Sequence, residues 1–157
     1  MRPVVREGTA DDAREVIRLA KLLWQDMQLP LQAGEWEDNA AEFFRGSLDG
    51  GSVRLLVADD PRTPNAIVAT GIGLIHQQSP AYWLPNGKLG YVQWFYTVPE
   101  WRKQGLASEI LDDLITWFRR NEVIRVHLHS ARDAVALYEA KGFVPSHHDN
   151  YWLEISD

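Results

Sequence analysis

From residue 96 to residue 108 the chain reads Tyr96-Thr97-Val98-Pro99-Glu100-Trp101-Arg102-Lys103-Gln104-Gly105-Leu106-Ala107-Ser108. A strand-forming run stops at Pro99, a short turn follows, and Gly105 and Ala107 open a long amphipathic stretch. The first N–H groups of a helix have no acceptor inside the helix, and the helix dipole adds partial positive charge at the same end. Gly105 lets the backbone come close to a ligand and Ala107 keeps the first turn small, which makes an anion site suited to a diphosphate. Arg102 and Lys103 add positive charge beside it. On the glycine alone, an eased strand-to-helix turn is the better account. Neither of the common nucleotide loops, Gly-x-x-x-x-Gly-Lys-Ser/Thr and Gly-x-Gly-x-x-Gly, is present.

A second group of reactive side chains follows. Tyr138 lies in Ala134-Val-Ala-Leu-Tyr-Glu-Ala-Lys-Gly-Phe143, a short helical pattern stopped by Gly142, a candidate left-handed residue at the helix end. A phenol there can protonate a leaving group, or it can be an ordinary amphipathic helix residue with its hydroxyl satisfied. His127 and His129 alternate onto one face of a strand, as bases or as exposed strand residues. His147-His148-Asp149 invites a metal reading, but a probable turn without helical pairing is better read as a polar hairpin tip, so no metal site is assigned. Trp24, Met27, Trp83 and Trp94 are candidates for an acceptor pocket, because aromatic walls suit hydrophobic or cationic ligands. Gln93, on the strand before the loop, joins them. With seven tryptophans in the chain, core packing is the stronger reading of each taken singly.

Arg102-x-x-Gly105-x-Ala107, preceded by Val98-Pro-Glu-Trp-Arg102, resembles the Arg/Gln-x-x-Gly-x-Gly/Ala signature and lead-in of the GNAT (GCN5-related) N-acetyltransferases. The stretch from Ala134 to Phe143 resembles that superfamily's second block, with close agreement at Leu137, Tyr138, Glu139, Lys141, Gly142 and Phe143. The resemblance implies a single GNAT-like domain over residues 1–157 that uses acetyl-CoA as acyl donor and passes the acetyl group to a primary amine. It implies that the backbone of Tyr96, Thr97 and Val98 pairs with the pantetheine arm like a missing strand. Arg102, Lys103, Gln104, Gly105, Leu106, Ala107 and Ser108 would hold the pyrophosphate, and Tyr138 would point at the coenzyme sulfur. Two departures stand out. Ser130 occupies the region where many relatives carry a coenzyme-contacting Asn, and its main task is as readily the N-cap of the next helix. The strand from 89 to 98 offers Gln93, Tyr91 and Tyr96 where many relatives place a Glu as general base. His129, His127, Glu100 and a chain of waters remain candidates for that base. With no Cys and no Ser-centred nucleophile motif, direct transfer in a ternary complex is the expected mechanism, helped by polarising backbone amides near Val98. Two rival readings stay open: a non-catalytic acyl-CoA-binding or sensing domain of the same fold, and an interaction protein using exposed aromatics such as Trp83 and Trp152. Dimerisation follows from the resemblance alone.

Elements must hold these groups in place. The hydropathy pattern gives β-α-α-β-β-β-α-β-α-β-β: strands at 4–7, 53–58, 66–76, 89–98, 123–129, 143–144 and 151–155, and helices after Thr9, at 35–48, at 103–120 and before Gly142. Thr9-Ala-Asp-Asp12 reads as a capping box. Strands alternating with helices predict an α/β (α+β) domain with a mixed, mostly antiparallel central sheet flanked by helices. A length of 157 residues with 45% hydrophobic and 24% charged residues fits one globular domain. The absence of cysteine excludes disulfides and thiolate metal sites. A net charge of −6 and no basic patch argue against a nucleic-acid partner. No apolar stretch is long enough for a membrane partner, and no signal-peptide region is visible at the N-terminus, so a cytoplasmic location is expected.

Overall fold

The computed structural model describes residues 1–129, 131–147 and 150–155. In chain order it forms β1 (Val5–Glu7), α1 (Ala13–Asp26), α2 (Glu35–Ser47), β2 (Val53–Asp59), β3 (Ile67–Gln77), β4 (Lys88–Thr97), α3 (Leu106–Arg120), β5 (Arg125–Leu128) and α4 (Val135–Ala140). The five strands make one sheet in the order β1-β2-β3-β4-β5. All neighbours run antiparallel except β4 and β5, which are parallel. The expected mixed α/β domain is present.

The capping box at Thr9 forms as the sequence predicts. The Thr9 hydroxyl accepts from the Asp11 N–H at 3.3 Å, and the Asp12 carboxylate accepts from the Thr9 N–H at 2.8 Å. Arg6 on β1 donates to the same Asp12 at 2.9 Å and to Asp59 on β2 at 2.7 Å, so one guanidinium joins the first two strands to the start of α1. That contact holds the Asp12 carboxyl below its ordinary range.

The two faces of the sheet are built differently. α1 lays Val16, Leu19 and Ala20 on one face, all fully buried. α3 lies on the other, and it comes close because the sheet presents glycines there. A Cβ on Gly71 would stand 2.7 Å from Ile110, one on Gly73 2.9 Å from Trp117, and one on Gly90 2.9 Å from Phe118. Leu111 and Leu114 complete the buried face of α3. Gly142 after α4 takes φ +95, the left-handed stop read from the sequence.

Three local departures from the sequence reading bear on function. α3 begins at Leu106, not at residue 103, because Lys103 (φ 62) and Gly105 (φ 85) are left-handed and cannot sit in a right-handed helix. β4 carries a bulge: Thr70 faces Tyr96 and Ile72 faces Gln93, so Gly71 alone opposes Trp94 and Phe95. The expected closing strands at 143–144 and 151–155 take no strand pairing among the described residues. Tyr151, Trp152, Leu153 and Ile155 are 81–93% exposed there, so their alternation meets no neighbouring strand or core. Among the described residues no helix is long and apolar enough to cross a membrane.

Replacing Gly71 by Val tests the close approach of α3. The added methyls meet Ile110 and Phe95 with no room to yield, so overpacking should cost about 1–3 kcal/mol. Thermal denaturation should show Tm lowered by roughly 2–12 °C, at about 2–4 °C per kcal/mol. An unchanged Tm would mean that α3 is free to lift.

Candidate active site

β4 and β5 part company partway along their length. Their last pair is Val92 with Leu128, yet β4 continues beside β3 as far as Thr97. Among the described residues, 93–97 therefore have a strand neighbour on one side only, which leaves the other edge of β4 unpaired there. A free strand edge offers a row of N–H and C=O groups to any extended partner.

At the end of that edge the chain turns through Pro99–Trp101 and enters α3 through Arg102, Lys103, Gln104 and Gly105. The two positive φ values turn successive amides toward one side. Gly105 is the N-cap and supplies no side-chain cap. The first amide of α3 to find a partner is that of Glu109, which donates to the Gly105 carbonyl at 3.0 Å. None of the N–H groups from Lys103 through Ser108 has an acceptor among the described residues. The loop therefore presents a run of N–H groups without an intramolecular acceptor at a helix N-terminus, the donor arrangement an anion site requires.

Arg102 has a different task from a free phosphate ligand. Its Nε donates to the Thr97 carbonyl at 2.8 Å, its Nη2 reaches Asp26 at 3.1 Å, and its guanidinium lies 5.3 Å from the Tyr96 ring centre. Asp26 also accepts from the Tyr96 hydroxyl at 3.1 Å. The end of α1, the end of β4 and the loop are thereby tied through one carboxylate. Burial, and then Asp26, raise the Tyr96 phenol above its ordinary value. Arg2 braces the loop from outside, donating to the Gln104 carbonyl at 3.1 Å and pairing with Glu109 at 2.9 Å. Sequence reading named neither Asp26 nor Arg2, and their separations of 76 and 102 residues from their loop partners explain why.

Tyr138 is brought to the same strand from the α3 side. It is 6% exposed, its ring lies 5.9 Å from both Phe95 and Phe143, and its hydroxyl makes no hydrogen bond among the described residues. Burial pushes this phenol up to about 12. It is therefore protonated at neutral pH, with its O–H free to donate.

On the opposite face of β4 lies an aromatic groove of about 800 Å³ between α1, α2 and the bulge. Trp24, Gln93 and Trp94 line it, as anticipated, and Trp36 and Phe44 join them without having been singled out. Met27 and Trp83 do not line it: Met27 is 44% exposed at the end of α1, and Trp83 is 54% exposed and packs edge-on against Tyr82. Of the candidate bases, Glu100 is engaged with Arg62 at 2.8 Å on the surface. His127 is exposed opposite Tyr91, and His129 packs edge-on against the Tyr91 ring at 5.7 Å. The Val98 amide is not available for polarising a ligand, because it donates to the Val68 carbonyl at 2.9 Å. Any polarising donor must come from the free side of β4. Ser130, and His148 with Asp149, lie outside the described residues; His147 is exposed.

The chain matches the acetyltransferase (GNAT) family over residues 16–143. No curated protein sequence matches it. Among solved structures it is similar to a predicted acetyltransferase from Clostridium acetobutylicum determined with acetyl-CoA, at a TM-score of 0.83 and 21% identity, over 98% of this chain and 96% of that one. A GCN5-related N-acetyltransferase from Ralstonia eutropha JMP134 superposes at a TM-score of 0.80 with 19% identity, over 96% of this chain and 98% of that one. Glucosamine-6-phosphate N-acetyltransferase from Arabidopsis thaliana does so at 0.72 with 17% identity, over 100% of this chain and 98% of that one. At these identities the structural likeness concerns the fold.

The environment of Tyr138 can be read by titration. The phenolate absorbance that Tyr138→Phe removes should rise with a midpoint near 12. Between about pH 10, where a free phenol ionises, and that midpoint, the unfolded chain releases a proton that the native state keeps, so stability should fall as pH rises. A midpoint at the free-phenol value would show a solvated hydroxyl.

Proposed function

This chain belongs to the acetyltransferase (GNAT) family, and from that premise we propose that it is an acetyl-CoA-dependent N-acetyltransferase acting by direct transfer to a primary amine. The observation that carries the reading is the run of acceptorless N–H groups from Lys103 through Ser108 at the head of α3. A pyrophosphate offers the acceptors these donors lack, and the dipole of α3 favours its charge. The free edge of β4 at Gln93–Thr97 is of the right kind for the amide-bearing pantetheine arm. The solved structure from Clostridium acetobutylicum with acetyl-CoA supports the same donor.

The chemistry divides among the surrounding groups. The neutral amine attacks the thioester carbonyl carbon, and a tetrahedral intermediate forms. As it collapses the C–S bond breaks, and the sulfur takes the proton of the Tyr138 hydroxyl while the N–C bond remains. A proton released by the amine nitrogen returns to Tyr138 through water, which closes the cycle. Burial keeps the Tyr138 phenol protonated at neutral pH, which guarantees a donor at the leaving sulfur but makes it a weak acid, so the transfer follows the build-up of charge on the sulfur. N–H groups on the free side of β4 stabilise the oxyanion, and the loop and β4 fix the donor's position. With no Cys in the chain, no cysteinyl acyl-enzyme forms.

Two results test this. Acetyl-CoA and CoA, but not ATP or NAD, should raise the Tm; at about 100 times Kd the native state gains roughly 2.7 kcal/mol. No shift with either CoA species would remove the proposal. Tyr138→Phe should lower kcat by roughly 10²-fold, the lower range for a positioned acid, with the CoA-induced shift retained. An unchanged kcat would take Tyr138 out of the mechanism, and binding without turnover in the unaltered protein would favour an acyl-CoA-sensing role.

A further inference from the structure

We propose that the acceptor is a small primary amine carried on an apolar alkyl or aryl body, and that the groove beside the β4 bulge holds that body. The inference rests on the acetyltransferase reading and names its substrate class.

The groove is lined by Trp24, Trp36, Phe44 and Trp94, with Gln32, Asn39 and Gln93 as its uncharged polar residues. None of its described lining residues carries a charge. Its rings are fixed against one another edge to face: Trp24 and Trp36 at 5.1 Å, Trp24 and Trp94 at 5.6 Å, Phe44 and Trp94 at 6.0 Å. The Trp36 indole N–H is committed to the Gln32 carbonyl at 2.7 Å and the Lys21 ammonium stands 5.7 Å from its ring centre, so a ligand can cover only the remaining carbon surface. Trp94 stands at φ 50, a backbone region that a bulky residue keeps only where its surroundings enforce it. The fold sustains that strain at the residue shared by the groove and the free edge of β4.

Charge complementarity selects the ligand. A polyamine or amino sugar needs carboxylates in the wall, and a sugar phosphate needs cations. Of the flanking charges, Glu37 pairs with Lys21 and Asp26 with Arg102, while Glu35 and Asp38 on α2 lie outside the lining. A body of alkyl or aryl carbon gains by covering the partly exposed indoles. A volume of about 800 Å³ suits a small molecule. Gln93 and Trp94 belong both to this groove and to the unpaired stretch of β4. An apolar body seated there sets its amino group at the edge where the donor is held.

The test compares kcat/KM for n-alkylamines from propyl to octyl, for phenethylamine and tryptamine, and for spermidine and glucosamine 6-phosphate, all with acetyl-CoA. The alkyl series should rise about fourfold per methylene until the groove is filled, and the arylalkylamines should exceed spermidine and the sugar phosphate by at least about a hundredfold. Trp36→Ala should lower kcat/KM for phenethylamine by about tenfold or more while leaving the CoA-induced thermal shift in place. Asn39→Asp, at an exposed position of α2, should narrow the margin over spermidine; it does not depend on α2 tolerating loss of an indole. A flat alkyl series, or faster turnover of spermidine or the sugar phosphate, would overturn this substrate class alone; no acetylation of any amine by a protein that acetyl-CoA stabilises would overturn the catalytic reading with it and favour acyl-CoA sensing. Failure of acetyl-CoA to stabilise the protein would overturn the acetyltransferase reading and this inference together.

Discussion

Six consecutive residues, Lys103 to Ser108, carry backbone N–H groups that the fold leaves without an acceptor, and much of the site's architecture serves to hold them there. The first amides of a helix have no partner within it, and here the left-handed residues before it lengthen the run that water or an anion can meet. Gly105 takes φ 85 at no side-chain cost, but Lys103 at φ 62 stores strain on the order of 1 kcal/mol or more. That strain persists because the loop is held on both flanks. Arg102 fastens it to Thr97 and Asp26, and Arg2 fastens it to Glu109 and the Gln104 carbonyl.

The same economy shapes β4. Glycines at 71, 73 and 90 let α3 settle onto the sheet, which places the head of α3 level with the end of β4. Trp94 and Phe95, which together oppose Gly71 at the bulge, lie on opposite faces of the sheet. Phe95 meets Tyr138, while Trp94 enters the aromatic groove. The parting of β4 from β5 after Val92 opens the edge between them. One strand thus has Tyr138 on one face, the aromatic groove on the other and an unpaired edge between them, the three features on which the proposed reaction rests.

What could be read in advance follows the range of the interactions. Elements with strong periodicity were legible: α3 from its apolar face, β3 and β4 from β-branched and aromatic runs, the capping box from Thr9 and Asp12. The turn into α3 at Gly105 and the short helix that carries Tyr138 were legible because their motifs are local. The head of α3 was placed three residues early, since amphipathic spacing does not register a positive φ at Lys103. The contacts that span the chain left no local trace: Asp26 with Arg102, and Arg2 with Glu109. Trp36 and Phe44 read as helix residues because only the fold of α2 against Trp94 turns them into a wall. Trp83 and Met27 have the right chemistry but lie away from it. Alternation at 151–155 suggested a strand, yet a strand requires a partner, and none is placed beside it among the described residues.

The central claim is that the amides at the head of α3 receive the coenzyme's pyrophosphate. A backbone amide NMR titration with CoA tests it residue by residue. Perturbations concentrated at Lys103–Ser108, with a second group along Gln93–Val98, are the predicted result; pantetheine, which lacks the pyrophosphate, should move the second group and leave the first. Saturable CoA binding that leaves Lys103–Ser108 unmoved would contradict the account.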